Sequence, residues 1–385
     1  MTPRDPALLE ECRALQRAVE PYPSWAALTG SAEWPTLDAR FARLLGAVRR
    51  HTPAVEPPPR EGALRVAHWN IEHGNWYEQV ERALTGRPEI ADADLITLNE
   101  VDLGMARAGN RDVTGDLATR LGRHAVWAPL FLETTIGRDD DASTAGGRAN
   151  EESLFGIAVL SRWPLGEARV IELPSPTAIQ FDLERMVGRH IALVVEVLRP
   201  GAPFVAVTTH LEVHRARSHR TVEMKVLTDA LADETRPVVI TGDFNTHTFD
   251  RGLWHSPLTA AAALFLASGV ALRERFLRPD RGSHHEGLFD VLREHGFAWE
   301  PFVDFAPTLQ LRYDRVDEAR AWDWLARLAR PLVAWAVSRG TLRLDWIVGR
   351  GWRGGRGVTV HGLDGPGRAS DHAPIVAEME GGPRH

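Results

Sequence analysis

Cysteine is nearly missing from this sequence, which has one, Cys12, among 385 residues. A single thiol excludes an internal disulfide framework and a metal site made of thiolates. Long apolar runs are also missing, because the nearest candidate, residues 258–272, is too short to span a membrane. The first residues lack a basic segment followed by an apolar core. We therefore predict no signal peptide, no transmembrane segment and a cytoplasmic location.

Positive charge is in short supply as well. The chain has 45 Lys and Arg residues against 52 Asp and Glu residues, which gives a net charge of −7. This balance argues against nonspecific binding to bulk nucleic acid, which requires a basic surface. It does not exclude a local basic groove. The remaining composition, 44% hydrophobic and 25% charged residues, is ordinary for a globular protein of one large or two smaller domains.

The first fifty residues differ in pattern from the rest of the chain. In residues 7–19 and 38–50, apolar side chains recur at three- and four-residue steps, which predicts helices. Residues 52–61 are dense in proline and predict a stiff, extended linker. We therefore divide the chain into a helical extension with its linker, residues 1–61, and a second domain, residues 62–385.

Within the second domain, short apolar segments alternate with helical ones. Several of these segments are apolar on both faces, as strands buried between two layers must be. Residues 250–341 interrupt the alternation with helical spacing and many Trp and Leu residues, which predicts a helical insertion. The whole pattern predicts an α/β fold in which helices flank two packed sheets. The predicted strands are residues 64–71, 93–101, 154–162, 190–198, 204–212, 237–245, 342–349, 358–363 and 373–379.

One predicted strand, VVITGDFN, ends in a carboxylate and an amide two positions apart. Residues at i and i+2 of an extended chain point to the same face, so Asp243 and Asn245 would stand side by side. Gly242 would let a ligand or another backbone come close. The alternative is an ordinary strand-to-loop turn, for which Gly, Asp and Asn are the usual residues.

Other predicted strands end in the same way, and this decides between the two interpretations. Burying one unpaired polar group costs a few kcal/mol, so six such strand ends would be costly unless they converge and satisfy one another around a cation. The six polar strand ends are Asn70, Glu100, His210, Asp243 with Asn245, Asp345, and Asp371 with His372.

The ordered set of motifs at these ends, W-N-I, N-E-V, T-H-L, G-D-F-N, L-D-W-I and S-D-H, resembles the endonuclease/exonuclease/phosphatase superfamily. The resemblance runs from about Leu64 to Met379. It implies the deoxyribonuclease I-like fold, a four-layer α/β sandwich of two packed mixed β-sheets flanked by helices. It also implies divalent-metal-dependent hydrolysis of phosphoric esters.

The resemblance assigns three residues to a metal ion. Glu100 is the expected main ligand, with Asn70 beside it and Asp371 close by. Oxygen ligands of this kind suit Mg²⁺ or Mn²⁺, which keep several waters and share the phosphate. Without an ion, the crowded carboxylates would repel one another and raise their pKa values.

The resemblance assigns the remaining strand-end residues to the reaction. Asp243 would orient or deprotonate the attacking water, and Asn245 would donate a hydrogen bond to a phosphate oxygen. His210 and His372 would flank the scissile phosphate, one stabilising charge or acting as an acid and the other transferring a proton. Asp345 would orient His372 and fix its tautomer. From the residues alone, a pairing of Asp345 with Arg343 or Arg350 stays open.

Two further roles rest on looser flanking sequence. Glu152 is the residue that the resemblance pairs with His210, and Glu151 is the alternative for the same role. Arg189 is the residue that the resemblance places in contact with the substrate phosphate, and Arg185 is the alternative for the same contact.

The resemblance implies a phosphodiesterase or nuclease whose partner is a phosphoester, with nucleic acid as one possibility. The alternative is a phosphodiesterase or phosphatase for a small-molecule or lipid phosphoester, for which the Trp-rich insertion could form a lid or a lipid surface. A third hypothesis is a non-catalytic binding module, which should have lost a metal or proton-transfer group. The sequence retains all of them. It leaves the substrate and the oligomeric state open.

Overall fold

The computed structural model describes residues 5–54, 62–137, 140–174, 177–249, 256–312, 325–364 and 368–381. Most of the predicted linker, residues 55–61, lies outside the described residues, as do residues 250–255 and 313–324 of the predicted insertion.

The described residues form α-helices and β-strands in alternation after an initial helical segment. The helices are α1 Pro6–Val19, α2 Trp25–Thr29, α3 Trp34–Leu45, α4 Tyr77–Gly86, α5 Pro88–Ala91, α6 Val113–Leu121, α7 Asp140–Ala145, α8 Thr177–Glu184, α9 Arg217–Asp229, α10 Ser256–Leu266, α11 Gly269–Leu277, α12 Leu288–Glu294 and α13 Leu325–Ser338. The strands are β1 Arg49–His51, β2 Leu64–Asn70, β3 Leu95–Leu103, β4 His124–Glu133, β5 Leu154–Ser161, β6 Leu165–Glu172, β7 Met186–Gly188, β8 Ile191–Val197, β9 Phe204–His210, β10 Val238–Asp243, β11 Leu309–Gln310, β12 Thr341–Leu342, β13 Asp345–Arg350, β14 Gly354–Thr359 and β15 Ile375–Glu380.

Two mixed sheets form the centre of the molecule. Among the described residues, the larger sheet has the order β1-β4-β5-β3-β2-β15-β14, with β7 also paired to β4. The smaller sheet has the order β13-β10-β9-β8-β6. Each sheet contains a parallel pair, β2 with β3 and β9 with β10, so the carboxyl ends of these strands lie at one edge of their sheet.

Three apolar layers hold the sheets and helices together. Between the sheets, side chains such as Val66 from the larger sheet and Val195 from the smaller one belong to one buried cluster. A second cluster joins the outer face of the larger sheet to helices α1, α3, α4 and α6, and a third joins the smaller sheet to α9 and α12. Burial of a single large aliphatic side chain contributes about 1.5–3 kcal/mol, so these layers dominate the stability of the fold. The predicted four-layer α/β sandwich is confirmed.

The N-terminal helices pack against the larger sheet. Leu15 of α1 and Leu44 of α3 are buried in the same cluster as the outer face of that sheet. The predicted helix over residues 38–50 ends early, because Gly46 caps α3 through its backbone N–H and Arg49–His51 then pairs with β4 as an edge strand. The helical prediction is therefore wrong for residues 46–50, while the division at residue 61 stays a prediction.

The insertion forms a small core of its own beside the sheets. Leu264 of α10, Phe276 of α11 and Ala336 of α13 belong to it, together with residues of β12. Within the predicted insertion, α10 ends at Leu266 and α11 begins at Gly269, where the side chain of Ser268 caps it. In the part of the chain that the structure describes, no helix has the length and apolar character needed to cross a membrane.

Candidate active site

The register of the smaller sheet places three of the predicted site residues side by side. Asp243, at the end of β10, lies opposite His210 on β9 and opposite Asp345 on β13. In the larger sheet, Asn70 at the end of β2 lies opposite Asn99 on β3, next to Glu100. Because the two sheets pack face to face, these two strand-end groups meet at one edge of the sandwich.

Asn99 connects the two sheets at this edge. Its side-chain oxygen accepts a hydrogen bond of 2.8 Å from the backbone N–H of Asp243, and its side-chain nitrogen donates to Thr208 Oγ1 over 3.3 Å. Glu100 follows with a left-handed backbone, φ 53°, at the point where the pairing of β3 with β5 shifts register. Left-handed backbone is strained for a residue with a side chain, so the bulge holds the carboxylate out of the sheet at an energetic cost.

Asn70 holds two carboxylates of the site. Its Nδ2 donates to Glu100 Oε1 over 2.9 Å and to Asp243 Oδ2 over 3.3 Å, and its Oδ1 accepts from the backbone N–H of Glu72. In this orientation the amide nitrogen, not the oxygen predicted as a metal ligand, faces the carboxylates. A rotated amide would have to give up the hydrogen bond from the backbone N–H of Glu72.

His372 and Asp345 form the closest charged pair of the site. His372 Nδ1 lies 2.8 Å from Asp345 Oδ2, as the predicted orienting role requires. Trp69 Nε1 donates to the carbonyl of His372 and fixes the backbone of the pair. The alternative pairing of Asp345 with an arginine is not seen, because Arg343 donates to Asp304 and Thr359, and Arg350 donates to backbone carbonyls.

Asp243 lies between the two predicted catalytic histidines. Its Oδ2 is 3.8 Å from His210 Nε2 and 3.8 Å from His372 Nε2. His210 Nε2 is also 4.0 Å from Glu100 Oε1. Asn245 stays close, because its backbone N–H donates to Asp243 Oδ1 while its Nδ2 donates to the carbonyl of Leu211.

The predicted pairing of Glu152 with His210 is not formed. The backbone carbonyl of Gly104 accepts hydrogen bonds from the N–H groups of Glu151 and Ser153, which turns the Glu152 side chain against Gly104. Burial, and then the charge of Glu152, raise the pKa of Cys12 to about 12. The neighbour of His210 is instead His190, whose ring centroid is 5.9 Å away and whose Nδ1 is 2.7 Å from the His210 carbonyl oxygen.

The two candidate phosphate-binding arginines already have partners. Arg189 Nη1 lies 2.5 Å from Glu172 Oε2 at a partly exposed position, so its predicted contact with a phosphate would require it to leave this pair. Its rival, Arg185, donates to the carbonyls of Val19 and Glu20 at the end of α1. Arg185 therefore connects the N-terminal helices to the sandwich.

Burial and like charges shift the pKa values of the acids at the site. Burial, and then the charge of Asp371, raise the pKa of Glu100 to about 8. Burial and then the charge of Asp345 raise the pKa of Asp243. Burial opposes ionisation of Asp345 as well, but attraction to His372 outweighs it and lowers the pKa of Asp345. The site thus carries more negative charge than its surroundings stabilise.

The two histidines shift in opposite directions. Burial disfavours the charged form of both. Attraction to Asp345 outweighs burial at His372 and raises its pKa well above the ordinary value, so this imidazole holds a proton. At His210, repulsion from His190 and His372 adds to burial and lowers the pKa to about 3, so this imidazole is neutral. One protonated and one neutral imidazole therefore flank Asp243.

Among the described residues, one set of side chains at the site has the spacing of a metal-binding cluster. Ligand atoms of Asp243, Asp345 and His372 all lie within 4.8 Å of one another. In this set the His372 Nδ1 already faces Asp345, so the histidine and the aspartate satisfy each other. At Glu100, burial and the charge of Asp371 outweigh the hydrogen bond from Asn70 and the charge of His372, so the pKa of Glu100 stays raised. Carboxylate oxygens such as those of Glu100 and Asp371 are ligands that suit a divalent ion, whose charge would offset their repulsion.

The sequence-based predictions missed three histidines of this region. His73 Nε2 lies 3.5 Å from Glu100 Oε2, and His68 Nε2 lies 3.3 Å from Asp345 Oδ1, on the side away from His372. His190 packs against His210. His68 stands two residues before Asn70, and His73 stands three residues after it, in the segment HWNIEH. This spacing is the only signal that the sequence offers for these two histidines.

Comparison with known proteins identifies the class to which this fold and site belong. The model of the Endonuclease/Exonuclease/phosphatase family matches residues 67–372. The match covers most of the chain and includes all six strand ends that carry the site residues. The chain is a member of this family. No curated protein matches the sequence.

Several solved structures resemble the chain at low sequence identity. An endonuclease/exonuclease/phosphatase from Beutenbergia cavernae DSM 12333 is 18% identical, covering 84% of this chain and 74% of that one, with a TM-score of 0.49. The 3'-5' exonuclease NExo from Neisseria meningitidis is 15% identical, covering 82% and 100%, with a TM-score of 0.44. The catalytic domain of human nocturnin, with bound sulfate, is 15% identical, covering 88% and 97%, with a TM-score of 0.44.

Proposed function

We propose that this protein is a divalent-metal-dependent hydrolase of phosphoric esters, acting as a phosphodiesterase or nuclease. The observation that carries the proposal is the meeting of Glu100, Asp243 and the His372–Asp345 pair at one edge of the sandwich, within hydrogen-bonding or ion-pair distance. A purely structural role would leave this much buried charge uncompensated.

Glu100 and Asp371 would hold the ion, Mg²⁺ or Mn²⁺, with Asn70 orienting the Glu100 carboxylate. When bound, the ion would supply positive charge to the phosphate oxygens and lower the pKa of water. The raised pKa of Glu100 is the physical reason to expect an ion there, because a cation would replace the proton that crowding otherwise retains.

The reaction divides between Asp243 and His372. As the oxygen of water bonds to phosphorus, a proton passes to Asp243 Oδ2, which lies 3.8 Å from the Nε2 of each histidine. The ester P–O bond breaks, and the leaving oxygen takes the proton that His372 holds on Nε2. Asp345 keeps His372 protonated and aligned, and the neutral His210 donates its ring N–H to a phosphate oxygen.

A small or lipid-like phosphoester is the second candidate substrate. The insertion exposes large apolar side chains, Leu266 by 85% and Val270 by 75%, and its strand β11 forms a bridge to His372 through Leu309. An apolar surface beside the site suits a substrate with an apolar group better than it suits a polyanion. A cytoplasmic location stays a prediction.

The test is a substrate panel with Mg²⁺ or Mn²⁺, consisting of plasmid DNA, single-stranded DNA, RNA, bis-p-nitrophenyl phosphate and phosphoester lipids. We expect hydrolysis that chelator abolishes, and a rise in melting temperature on adding Mg²⁺. Asp243→Asn should lower kcat on the order of 10²-fold or more, whereas Asp233→Asn, an exposed aspartate, should not. Hydrolysis that is equally fast in chelator and in Mg²⁺ would overturn the metal assignment.

A further inference from the structure

The turn that follows β2 has an unusual backbone. Glu72, His73 and Gly74 are consecutive left-handed residues, with φ of 47°, 64° and 79°. A left-handed conformation costs a residue with a side chain about 1–3 kcal/mol, so two in succession persist only where surrounding contacts impose them. Such strain is concentrated at sites where a side chain must be held in one place.

The contacts that impose this backbone are on the buried side of the turn. Arg368 donates to both oxygens of the Glu72 carboxylate, over 2.7 and 3.1 Å, and both side chains are almost fully buried. The backbone N–H of Glu72 donates to Asn70 Oδ1. With Glu72 fixed from two directions, the next side chain, that of His73, is aimed at the site.

The His73 ring lies between the predicted metal ligand and a second carboxylate. Its Nε2 is 3.5 Å from Glu100 Oε2, and its Nδ1 is 4.0 Å from Asp102 Oδ1. Arg107 holds Asp102 with two hydrogen bonds of 2.7 and 3.0 Å. The ring of Phe155 covers one side, with centroids 5.2 Å apart. A metal-ligating histidine characteristically has a hydrogen-bond acceptor on its second nitrogen; here the Asp102 carboxylate is beside Nδ1 at ion-pair distance, beyond hydrogen-bonding range.

The separation of His73 and Glu100 suits a shared ion. Two ligand atoms that are each about 2.1 Å from one ion lie about 3.0–3.5 Å apart for bond angles of about 90–110°. The observed distance between Nε2 and Oε2 is 3.5 Å. The His73 side chain is partly exposed, so a hydrated ion can reach this point.

We propose that His73 is a nitrogen ligand, through Nε2, of the same divalent ion that Glu100 binds. The site then favours transition ions such as Mn²⁺ and Co²⁺ over Mg²⁺. An imidazole ligand strengthens the binding of Mn²⁺ and Co²⁺ but adds little to the binding of Mg²⁺. This inference rests on the proposed function, since it takes the Glu100 ion as given and assigns its additional ligand.

The test uses the full-length protein loaded with Mn²⁺. Electron spin echo envelope modulation detects a nitrogen nucleus bonded to Mn²⁺, independently of activity. We expect an imidazole nitrogen signal in the wild type and its loss in His73→Asn. Asn is chosen because it tolerates left-handed backbone better than other replacements do. Circular dichroism and the melting temperature in chelator show whether the variant keeps its fold.

Two control variants assign the nitrogen to one residue. His210→Gln and His372→Gln remove the other imidazoles near Glu100 and should leave the signal unchanged. In calorimetric titrations, His73→Asn should lower Co²⁺ affinity about tenfold or more and Mg²⁺ affinity less than about threefold. Mn²⁺ binding with no nitrogen signal, or a signal lost in His210→Gln instead, would overturn the His73 assignment and leave the Glu100 site intact. If wild type shows no saturable Mn²⁺ binding and Glu100→Gln behaves identically, the metal-dependent function falls as well.

Discussion

The carboxyl group of Glu100 offers the sharpest test of the electrostatics, through the change Glu100→Gln. In the metal-free protein its pKa is raised from 4.5 to about 8 by burial and the charge of Asp371. The folded state therefore binds more protons than the unfolded state between these values. The stabilising contribution of the Glu100 carboxyl group is fully present below pH 4.5 and is lost as the pH rises through 8.

The size of the effect follows from the shift. Each pKa unit corresponds to about 1.4 kcal/mol, so the full shift corresponds to about 5 kcal/mol. Solvent access to the partly exposed carboxylate reduces this, and we expect about 2–4 kcal/mol between pH 5 and pH 9. Glu100→Gln removes the ionisable group. In chelator, as the pH rises from 5 to 9, the unfolding free energy of Glu100→Gln should therefore increase by about 2–4 kcal/mol relative to that of the wild type.

Urea unfolding followed by tryptophan fluorescence, at several pH values in chelator, measures the difference. Adding Mg²⁺ at pH 9 should stabilise the wild type and leave Glu100→Gln unchanged, because only the ionised carboxylate attracts the ion. Glu10→Gln, which removes an exposed carboxylate on α1, is the matched control and should follow the wild type at every pH. Parallel curves for wild type and Glu100→Gln would refute the claim that Glu100 is a crowded, destabilised charge.

Further changes test other parts of the structure. Asp345→Asn removes the attraction that raises the pKa of His372, so kcat should fall on the order of 10²-fold and the alkaline limb of the pH–rate profile should move to lower pH; an unmoved limb would exclude this pairing. Gly104→Ala would put a Cβ 2.0 Å from Glu152 Oε2 on a backbone with φ of 67°, and urea unfolding should show a loss of about 2 kcal/mol or more. Gly201→Ala, with φ of 73° and open space around the Cβ, should cost about 1 kcal/mol, and equal losses for the two would contradict the close packing at Gly104. Deleting residues 1–55 uncovers the outer face of the larger sheet, so the soluble yield should collapse; a monodisperse truncated protein would show that the extension is dispensable.

The residues that sequence motifs placed in the site are mostly those that meet in the structure. Asn70, Glu100, Asp243 and the His372–Asp345 pair come together because strand ends in a two-sheet sandwich share an edge, which a short motif at each end indicates. The pairing of Glu152 failed because it depends on the conformation of a loop. Two hydrogen bonds to the Gly104 carbonyl decide that conformation, and no local pattern encodes them.

The strands that the sequence did not indicate have physical reasons for being overlooked. Strand β4, His124–Glu133, is buried along its whole length and carries Pro129, so it shows neither alternation nor an unbroken run. The pairing of β4 with β5 shifts register between Pro129 and Phe131, which accommodates the missing donor. The strand predicted at 358–363 lies instead at Gly354–Thr359, and within it the backbone of Phe302 lies so close to Gly357 that a Cβ would not fit.

The position of strand β15 has a consequence for how the protein matures. This strand pairs with β2 on one side and β14 on the other, and the loop before it anchors to the first site strand through Ser370 Oγ, which donates to the Asn70 carbonyl. The ribosome therefore delivers the two halves of the site some 300 residues apart. We expect the site of a nascent chain to stay incomplete until β15 is inserted, because Asp371 and His372 lie directly before this strand.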